Sequence, residues 1–457
     1  MRTLTLAALA ALSLALGYIS IAGEDKPAAP NWAEILNPAT PELPAPRAKV
    51  EWIEDLDAGL ALARKEGRPL FVTMRCLPCK QCSKFDADVL DGGEELNPLL
   101  GQFVTVRVTS MRNIDQRILP FADYQDCDLS WWGYFLSDQG ALYGVYGGKD
   151  EVSDETRISE KGLIDALGKV LAHHYDKRRP IWNIDGPVPA LKGKAQTPKQ
   201  LPGWAGWAKH GAKEVADSEC LHCHQVNEIM RQPQFDKKKF DKLKDFWVWP
   251  FPENVGLTLD RDNGTRVSKV QSGSPAEKAG IKPGDTIGAA NGKRTFTQTD
   301  FRGVLHRAGA GDVKIDLVWL SGGEVKTGRL ELSGDWRKTD LGWRKSVAEA
   351  DIGANTGMPW PLACNDNERK QRDIEKGVMC IKPYFPKGPT GAAGDAGLKG
   401  SDFIIAVNGE NPDVNGRAFL VWFRQKFEPG DEIRLTVIDA NKKQREVKYK
   451  APGRQGG

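Results

Sequence analysis

Two cysteine motifs hold the residues best suited to chemistry. The first is Arg75-Cys76-Leu77-Pro78-Cys79-Lys80-Gln81-Cys82. It follows the apolar run Pro69–Met74, which reads as a buried strand, and leads into Ser83–Leu90, where Phe85, Val89 and Leu90 fall at helical spacing. A Cys-x-x-Cys at a strand-to-helix junction meets the unpaired N–H groups and positive end of the helix, which stabilise a thiolate. Arg75 acts in the same direction. The chemistry would be thiol–disulfide exchange, which requires no cofactor. The second motif is Cys220-Leu221-His222-Cys223-His224. Cys-x-x-Cys-His is the attachment pattern of haem c, with thioethers from Cys220 and Cys223 and His224 as proximal iron ligand. Met230 is the preferred distal ligand because a thioether is a common sixth ligand; His210 and His222 are the alternatives. A structural Cys220–Cys223 disulfide, or zinc held by both cysteines and two histidines, competes for the same residues.

Further cysteines surround the first motif. Cys79 and Cys82 are three apart and share a helix face. Cys127 lies in the loop expected to face the motif. Three readings stay open: Cys82 and Cys127 as plain buried residues, a Cys82–Cys127 link or relay through Cys76 and Cys79, and a three-cysteine metal site from Cys76, Cys79 and Cys82.

The surrounding pattern supplies the elements that must position these thiols. A helix is expected over Trp52–Lys65, with Leu56, Leu60 and Leu62 inward. Phe103–Val108 reads as a second strand and Trp131–Leu136 as a third. A turn at Ser137–Gly140 leads into a fourth, Ala141–Tyr146. Residues 160–175 close the unit as a helix with Leu163, Leu167, Val170 and Leu171 on one face. On this order and on Cys76-Leu77-Pro78-Cys79, residues 50–175 resemble the thioredoxin superfamily, most of all secreted thioredoxin-like proteins joined to PDZ domains. The resemblance implies an α/β thioredoxin-like fold, with Cys76 as attacking thiolate and Cys79 as its resolving partner. It also marks three differences. Arg75 stands where a Trp is usual, Leu70 where a buried acid is usual, and Asp128–Trp132 lacks the cis-proline that shapes the substrate groove. These differences argue against a broad-specificity thioredoxin, while the third cysteine and the downstream haem-type motif argue for a dedicated partner.

From about Asp245 the pattern turns to β. Val255–Leu259, Arg266–Val270 and Val313–Val318 read as strands, with a short helix at Pro275–Ala279, a Gly280 cap and a Pro283-Gly284-Asp285 turn between them. This stretch resembles the circularly permuted PDZ domains of bacterial periplasmic proteases and their relatives. PDZ domains add a peptide C-terminus as a strand. The resemblance therefore implies a carboxylate loop at Val255-Gly256-Leu257, a pairing strand from Thr258-Leu259, and Leu305 as a pocket wall. The chain then repeats itself: Ala279-Gly-Ile-Lys-Pro-Gly-Asp-Thr-Ile287…Asn291-Gly292 aligns with Ala396-Gly-Leu-Lys-Gly-Ser-Asp-Phe-Ile404…Asn408-Gly409. A second PDZ-like domain follows from the repeat. Its front half carries no readable Gly-Leu-x-Leu loop, and Asn365–Lys376 reads as a charged helical insertion. Cys364 and Cys380 flank that insertion and could close it as a disulfide.

The N-terminus has its own signature. Arg2 precedes an uncharged run from Leu4 to Ala22, and Ser20-Ile-Ala22 offers small residues for cleavage. Export to the periplasm or beyond is expected, with membrane attachment only if the segment is uncleaved. The expected organisation is a signal peptide at 1–23, a Pro-rich linker at 24–49, the thioredoxin-like domain at 50–175 and a linker with the Cys-x-x-Cys-His motif at 176–244. Two mainly-β, α+β PDZ-like domains then occupy 245–335 and 340–452. A net charge of +3 over 457 residues gives no footing for nucleic-acid binding. The run around Lys237–Lys244 alternates with acids and reads as a solvated helix face. No Ser-His-Asp protease arrangement is readable. The expected function is an exported thiol–disulfide redox protein whose PDZ domains recruit a protein partner or peptide C-terminus. A haem that exchanges electrons with a further partner would add to that function. The alternative is a non-enzymatic PDZ scaffold with a structural thioredoxin-like domain.

Overall fold

The computed structural model describes residues 30–74, 84–91, 93, 95–149, 157–186, 188–189, 196–209, 221–348, 353–358, 360–414 and 416–453. The first sheet is built around β2 (Leu70–Met74), five consecutive buried residues. β2 pairs in parallel with β3 (Val104–Val108) and antiparallel with β4 (Ser130–Leu136). With β1 (Trp52–Ile53) and β5 (Leu142–Lys149) the order is β1-β3-β2-β4-β5. The strand that leads into the first cysteine motif is therefore central. Its alternating side chains feed two cores. Val72 joins Leu60, Val106 and Tyr134 on one face, and Phe71 joins Phe103, Phe135, Leu163 and Leu167 on the other.

The helix expected from Trp52 starts later. Trp52 and Ile53 pair with Thr105 and Val106 as β1. Helix α1 then spans Leu56–Glu66, because the Asp55 side chain accepts from the Ala58 N–H and fixes the N-cap. Residues 176–244 are more than a linker. Helices α2 (Trp204–Lys209) and α3 (Cys223–Asp236) place Trp207, Leu221, Val226 and Ile229 in the same apolar cluster as Leu60 and Val72. The two helices meet so closely that a Cβ on Gly203 would lie 1.8 Å from the Ile229 carbonyl oxygen.

The next region holds a two-stranded ribbon, β6 (Leu257–Leu259) with β7 (Val267–Val270), and a four-stranded sheet. That sheet contains β8 (Thr286–Ala290), β9 (Lys293–Arg294), β10 (Val313–Ser321) and β11 (Glu324–Leu332), in the order β11-β10-β8-β9. Helix α4 (Gln298–Arg307) packs over them and also caps the exposed edge of β5. Asp300 Oδ1 accepts from the Val145 N–H at 2.8 Å, and the Thr299 hydroxyl donates to the Gly147 carbonyl at 3.1 Å. Covering a sheet edge in this way removes a pairing site.

The last region is a five-stranded sheet with order β12-β13-β14-β15-β16. Its strands are β12 (Trp360–Ala363), β13 (Ile381–Tyr384), β14 (Phe403–Val407), β15 (Glu432–Ile438) and β16 (Gln444–Lys450). Helix α5 (Asp366–Gln371) lies between β12 and β13, and helix α6 (Gly416–Lys426) packs against β12. The internal repeat reappears as identical turn geometry. Asn291 and Asn408 both adopt φ 49°, each followed by a positive-φ glycine. In both turns the Asn side chain accepts from the facing strand, from the Asp316 and Arg434 N–H groups. No helix among the described residues is long and apolar enough to cross a membrane.

Candidate functional site

Arg75, Cys76, Cys79 and Cys82 lie outside the described residues, as does Cys220. The frame around the first motif is described. Chain 75–83 leaves the buried end of β2 at Met74 and re-enters at Lys84, ahead of a π-helical turn, Asp86–Leu90. On the opposing side, where a cis-proline would shape a groove, no described peptide bond is cis and Trp131 adopts a left-handed φ of 57°. That conformation is costly for a bulky residue and persists only where neighbours impose it. Here they do. The fully buried Trp131 ring lies 4.3 Å from the Phe85 ring, and its Nε1–H donates to Asp86 Oδ1 at 2.7 Å. The start of β4 is thus tied directly to the helical turn Asp86–Leu90. Asp86 is a wholly buried carboxylate that sequence reasoning overlooked, because it sits far from Leu70, where a buried acid was sought.

Cys127 sits in the loop that precedes β4, buried in the core cluster. Burial pushes its thiol well above the ordinary range, and the neighbouring Cys223, Asp126 and Asp128 push it further. A thiol so placed is a poor nucleophile.

A buried ionic cluster holds the same loop. Arg344 Nη1 donates to Asp126 Oδ1 at 2.8 Å and to Asp128 Oδ2 at 2.9 Å, with all three side chains fully buried. Arg302 Nη2, from α4, reaches Asp126 Oδ2 at 2.7 Å and the Trp249 carbonyl at 2.9 Å. Ser346 donates to both Asp128 oxygens through its N–H and hydroxyl at 2.7 Å, and Arg231 of α3 donates to the Ser346 carbonyl at 2.8 Å. Burial works against the charge on Asp126, but Arg344 and Arg302 outweigh it and hold the carboxyl below its usual range. Burial lowers Arg302 to about 10, which leaves it a cation at neutral pH. Sequence reasoning missed this clasp. Its members are scattered from residue 126 to residue 346, and the only local signal is the Asp-Cys-Asp run at 126–128.

The second motif opens α3. Cys223 is partly buried against the core of the first sheet, on the side where Leu221 and Val226 are sealed. His224 Nδ1 pairs with Glu228 Oε1 at 3.1 Å, and Glu228 Oε2 accepts from the Trp207 indole at 2.9 Å. Met230 is on the same helix, exposed, six positions on and therefore about 9 Å further along the axis. One straight helix cannot place His224 and Met230 on opposite faces of an iron, so the structure does not bring these two proposed ligands together. Cavities of about 240 and 420 Å³ border the first PDZ region, and neither is lined by Cys223 or His224. No cluster of three or more His, Cys, Asp or Glu among the described residues could hold a metal ion. Cys220 and His210 lie outside the described residues; the described half of the motif ties the start of α3 to the first sheet.

In the first PDZ region, Gly256 takes φ 86°, and a Cβ there would lie 2.1 Å from Ser274 Cβ. Only glycine suits that loop. The Gly256 carbonyl and the Asp260 N–H bond toward β7, so Leu257 and Leu259 present their backbone groups to the other edge of β6. No described strand pairs with that edge. Val255, Leu257 and Leu305 meet in the core of this region and are fully buried, so Leu305 does not present an open pocket wall, whereas Thr258 is half-buried. The segment after β11 is tied to the end of α4 and to Asn254. Arg337 Nη1 donates to the Leu305, His306 and Gly309 carbonyls, while the Asn254 side chain donates to the Trp336 carbonyl at 2.9 Å. In the charged run at 237–245, Lys237, Lys238, Lys239 and Lys244 are exposed as expected, and Lys242 is partly buried. Lys242 Nζ donates to the Gln425 and Phe427 carbonyls at the end of α6, at 3.2 and 3.0 Å.

Residues 51–125 match the family model of a thioredoxin-like domain, and residues 266–318 match that of a PDZ domain. The chain joins a thioredoxin-like domain to a PDZ domain. Curated relatives include a probable periplasmic serine endoprotease DegP-like of Hahella chejuensis, 26% identical over 266 residues (57% of this chain, 51% of that protein). A probable periplasmic serine protease do/HhoA-like of Haemophilus influenzae is 30% identical over 154 residues (33% of this chain, 29% of that protein). A serine protease Do-like HtrA of Bacillus subtilis is 35% identical over 302 residues (62% and 64%). The chain thus spans about half the length of the first of these relatives and under a third of the second. A PDZ domain supports protein or peptide binding in general.

Proposed function

We propose that the protein is an exported thiol–disulfide redox protein whose first PDZ domain docks the partner it acts on. The observation that carries this reading is the placement of the motif. In sequence, Cys76 and Cys79 follow the buried end of the central strand β2 and precede the helical turn Asp86–Leu90. In the reaction the Cys76 thiolate attacks one sulfur of a partner disulfide and the other sulfur leaves as a thiolate. Cys79 then attacks Cys76 in the mixed disulfide, so the partner leaves as a dithiol and the chain keeps the Cys76–Cys79 disulfide. Relatives described as periplasmic and the apolar N-terminal run support export. Proteolysis, the activity named for those relatives, has no support from the best-formed histidine–carboxylate pair. His173 Nε2 is engaged by Asp185 at 2.7 Å and Nδ1 by Arg294 at 2.8 Å, so neither nitrogen is open to a serine.

The test is a trap. A Cys79→Ser variant expressed in an oxidising compartment should accumulate reductant-sensitive adducts through Cys76, and Cys76→Ser should abolish them. An empty trap would favour the second reading, a PDZ scaffold with a structural thioredoxin-like domain. One observation supports that alternative: buried ion pairs clamp the Asp126–Asp128 loop of the thioredoxin-like domain.

A further inference from the structure

Cys364 and Cys380 sit at the mouth of the insertion in the last sheet, far along the chain from the proposed dithiol. The register of β12 with β13 ends at Ala363 opposite Ile381, so Cys364 and Cys380 are the next facing pair. The Cys364 N–H donates to the Cys380 carbonyl at 3.1 Å, which makes this a hydrogen-bonded position of the ladder. Such positions hold their Cα atoms about 5.5 Å apart, inside the range a disulfide spans without backbone movement. Both side chains enter one small apolar cluster with Ile374 and Phe403, so the two sulfurs point to the same space. The Cys364 thiol lies within hydrogen-bonding reach of Cys380. That bond holds Cys380 below the usual thiol range, and Arg369 and Lys382 push the same way.

We propose that Cys364 and Cys380 form a disulfide that staples the insertion 365–379 onto the second PDZ-like sheet. Ile374 and Met379 already bury against the sheet, and the disulfide would add a covalent tie at the ends of the insertion. α5 is a short helix with no buried residue, held by the Asn365–Glu368 capping box and by Arg369 bonds to the Glu375 and Val378 carbonyls. Closing its ends removes conformations from the unfolded chain. In the oxidation, one thiolate attacks a small disulfide such as oxidised glutathione and releases one glutathione thiolate. The second cysteine then displaces the other. The pair gives up two electrons and two protons, and two glutathione thiols are produced. With Cys380 1% and Cys364 9% exposed, the bond once formed is shielded from reductants. The claim is independent of Cys76 and Cys79.

The full chain, prepared from an oxidising compartment and alkylated without reduction, provides the test. Peptide mapping should recover a linked pair containing Cys364 and Cys380. Light trypsin treatment, cutting at Arg369, Lys370, Arg372 or Lys376, should give fragments that separate only after reduction. The Cys364→Ser/Cys380→Ser variant should melt at least about 5 °C below the non-reduced wild type and level with the reduced one. Alkylation of both cysteines in the non-reduced protein, linkage of either to another cysteine, or equal melting of reduced and non-reduced protein would each overturn the proposal.

Discussion

In the first PDZ region β6 keeps one edge unpaired, and its helix α4 is clamped to the thioredoxin-like domain through Arg302 and Asp300. In the second region the corresponding strand β12 has no such opening. Gly416, at the start of α6, lies so close that a Cβ would stand 2.3 Å from the Pro361 carbonyl oxygen, and Pro361 has no N–H to offer a ladder. Trp360 and Leu362 of β12 instead point outward, 56% and 41% exposed. The Ala-Gly-x-Lys and Asn-Gly turns of the two regions match, yet their grooves do not. A repeated Ala-Gly-x-Lys turn and Asn-Gly corner specify backbone curvature. Whether a strand can be added depends on the distance between one helix and one strand, which the repeat does not encode.

The comparison can be broken most forcefully at the clasp that joins α4 of the first region to the thioredoxin-like domain. Arg344→Ala leaves Asp126 and Asp128 buried without their shared cation and should cost about 3–5 kcal/mol in urea unfolding. A loss under 1 kcal/mol would mean the domains are not coupled there. Gly416→Ala forces α6 off β12 and should cost about 1–3 kcal/mol, with no effect on peptide binding by the first region. Gly256→Val distorts the carboxylate loop against Ser274. It should weaken binding of a selected C-terminal peptide at least tenfold, about 1.4 kcal/mol. Unchanged affinity would remove β6 from the account.

The smallest effect concerns pH. Burial, with Arg337 beside it, lowers His306 from 6.5 to about 3, and its Nδ1 accepts from the Trp249 N–H at 3.3 Å. The folded state thus keeps this ring neutral, whereas the unfolded chain protonates it near 6.5. Stability from His306 is present above that value and is lost as pH falls toward about 3. His306→Gln should therefore flatten the decline in stability between neutral and acid pH; an identical slope would place the acid sensitivity elsewhere.

The sequence reveals much of the frame and less of the site. Val72 and Phe71 alternate in a run with strand period, and the repeat exposes the second PDZ-like sheet through its turns. Hydrophobic period and turn chemistry are local, so both are legible. Trp52–Ile53 misled because two apolar residues next to a helix read as its first turn, until Asp55 caps the helix and β3 takes them as a strand. The clasp was illegible for a different reason. Asp126, Arg231, Arg302 and Arg344 each look like ordinary surface charges, and only the packing of four segments buries them together.

The central claim is that the dithiol acts on a partner held by the first PDZ region. The direct measurement is the yield of mixed disulfide at Cys76 in a Cys79→Ser chain, with and without Gly256→Val. The account predicts a discrete reductant-sensitive adduct that falls several-fold when the carboxylate loop is broken. Adduct formation unaffected by Gly256→Val, or no adduct in either chain, would contradict it.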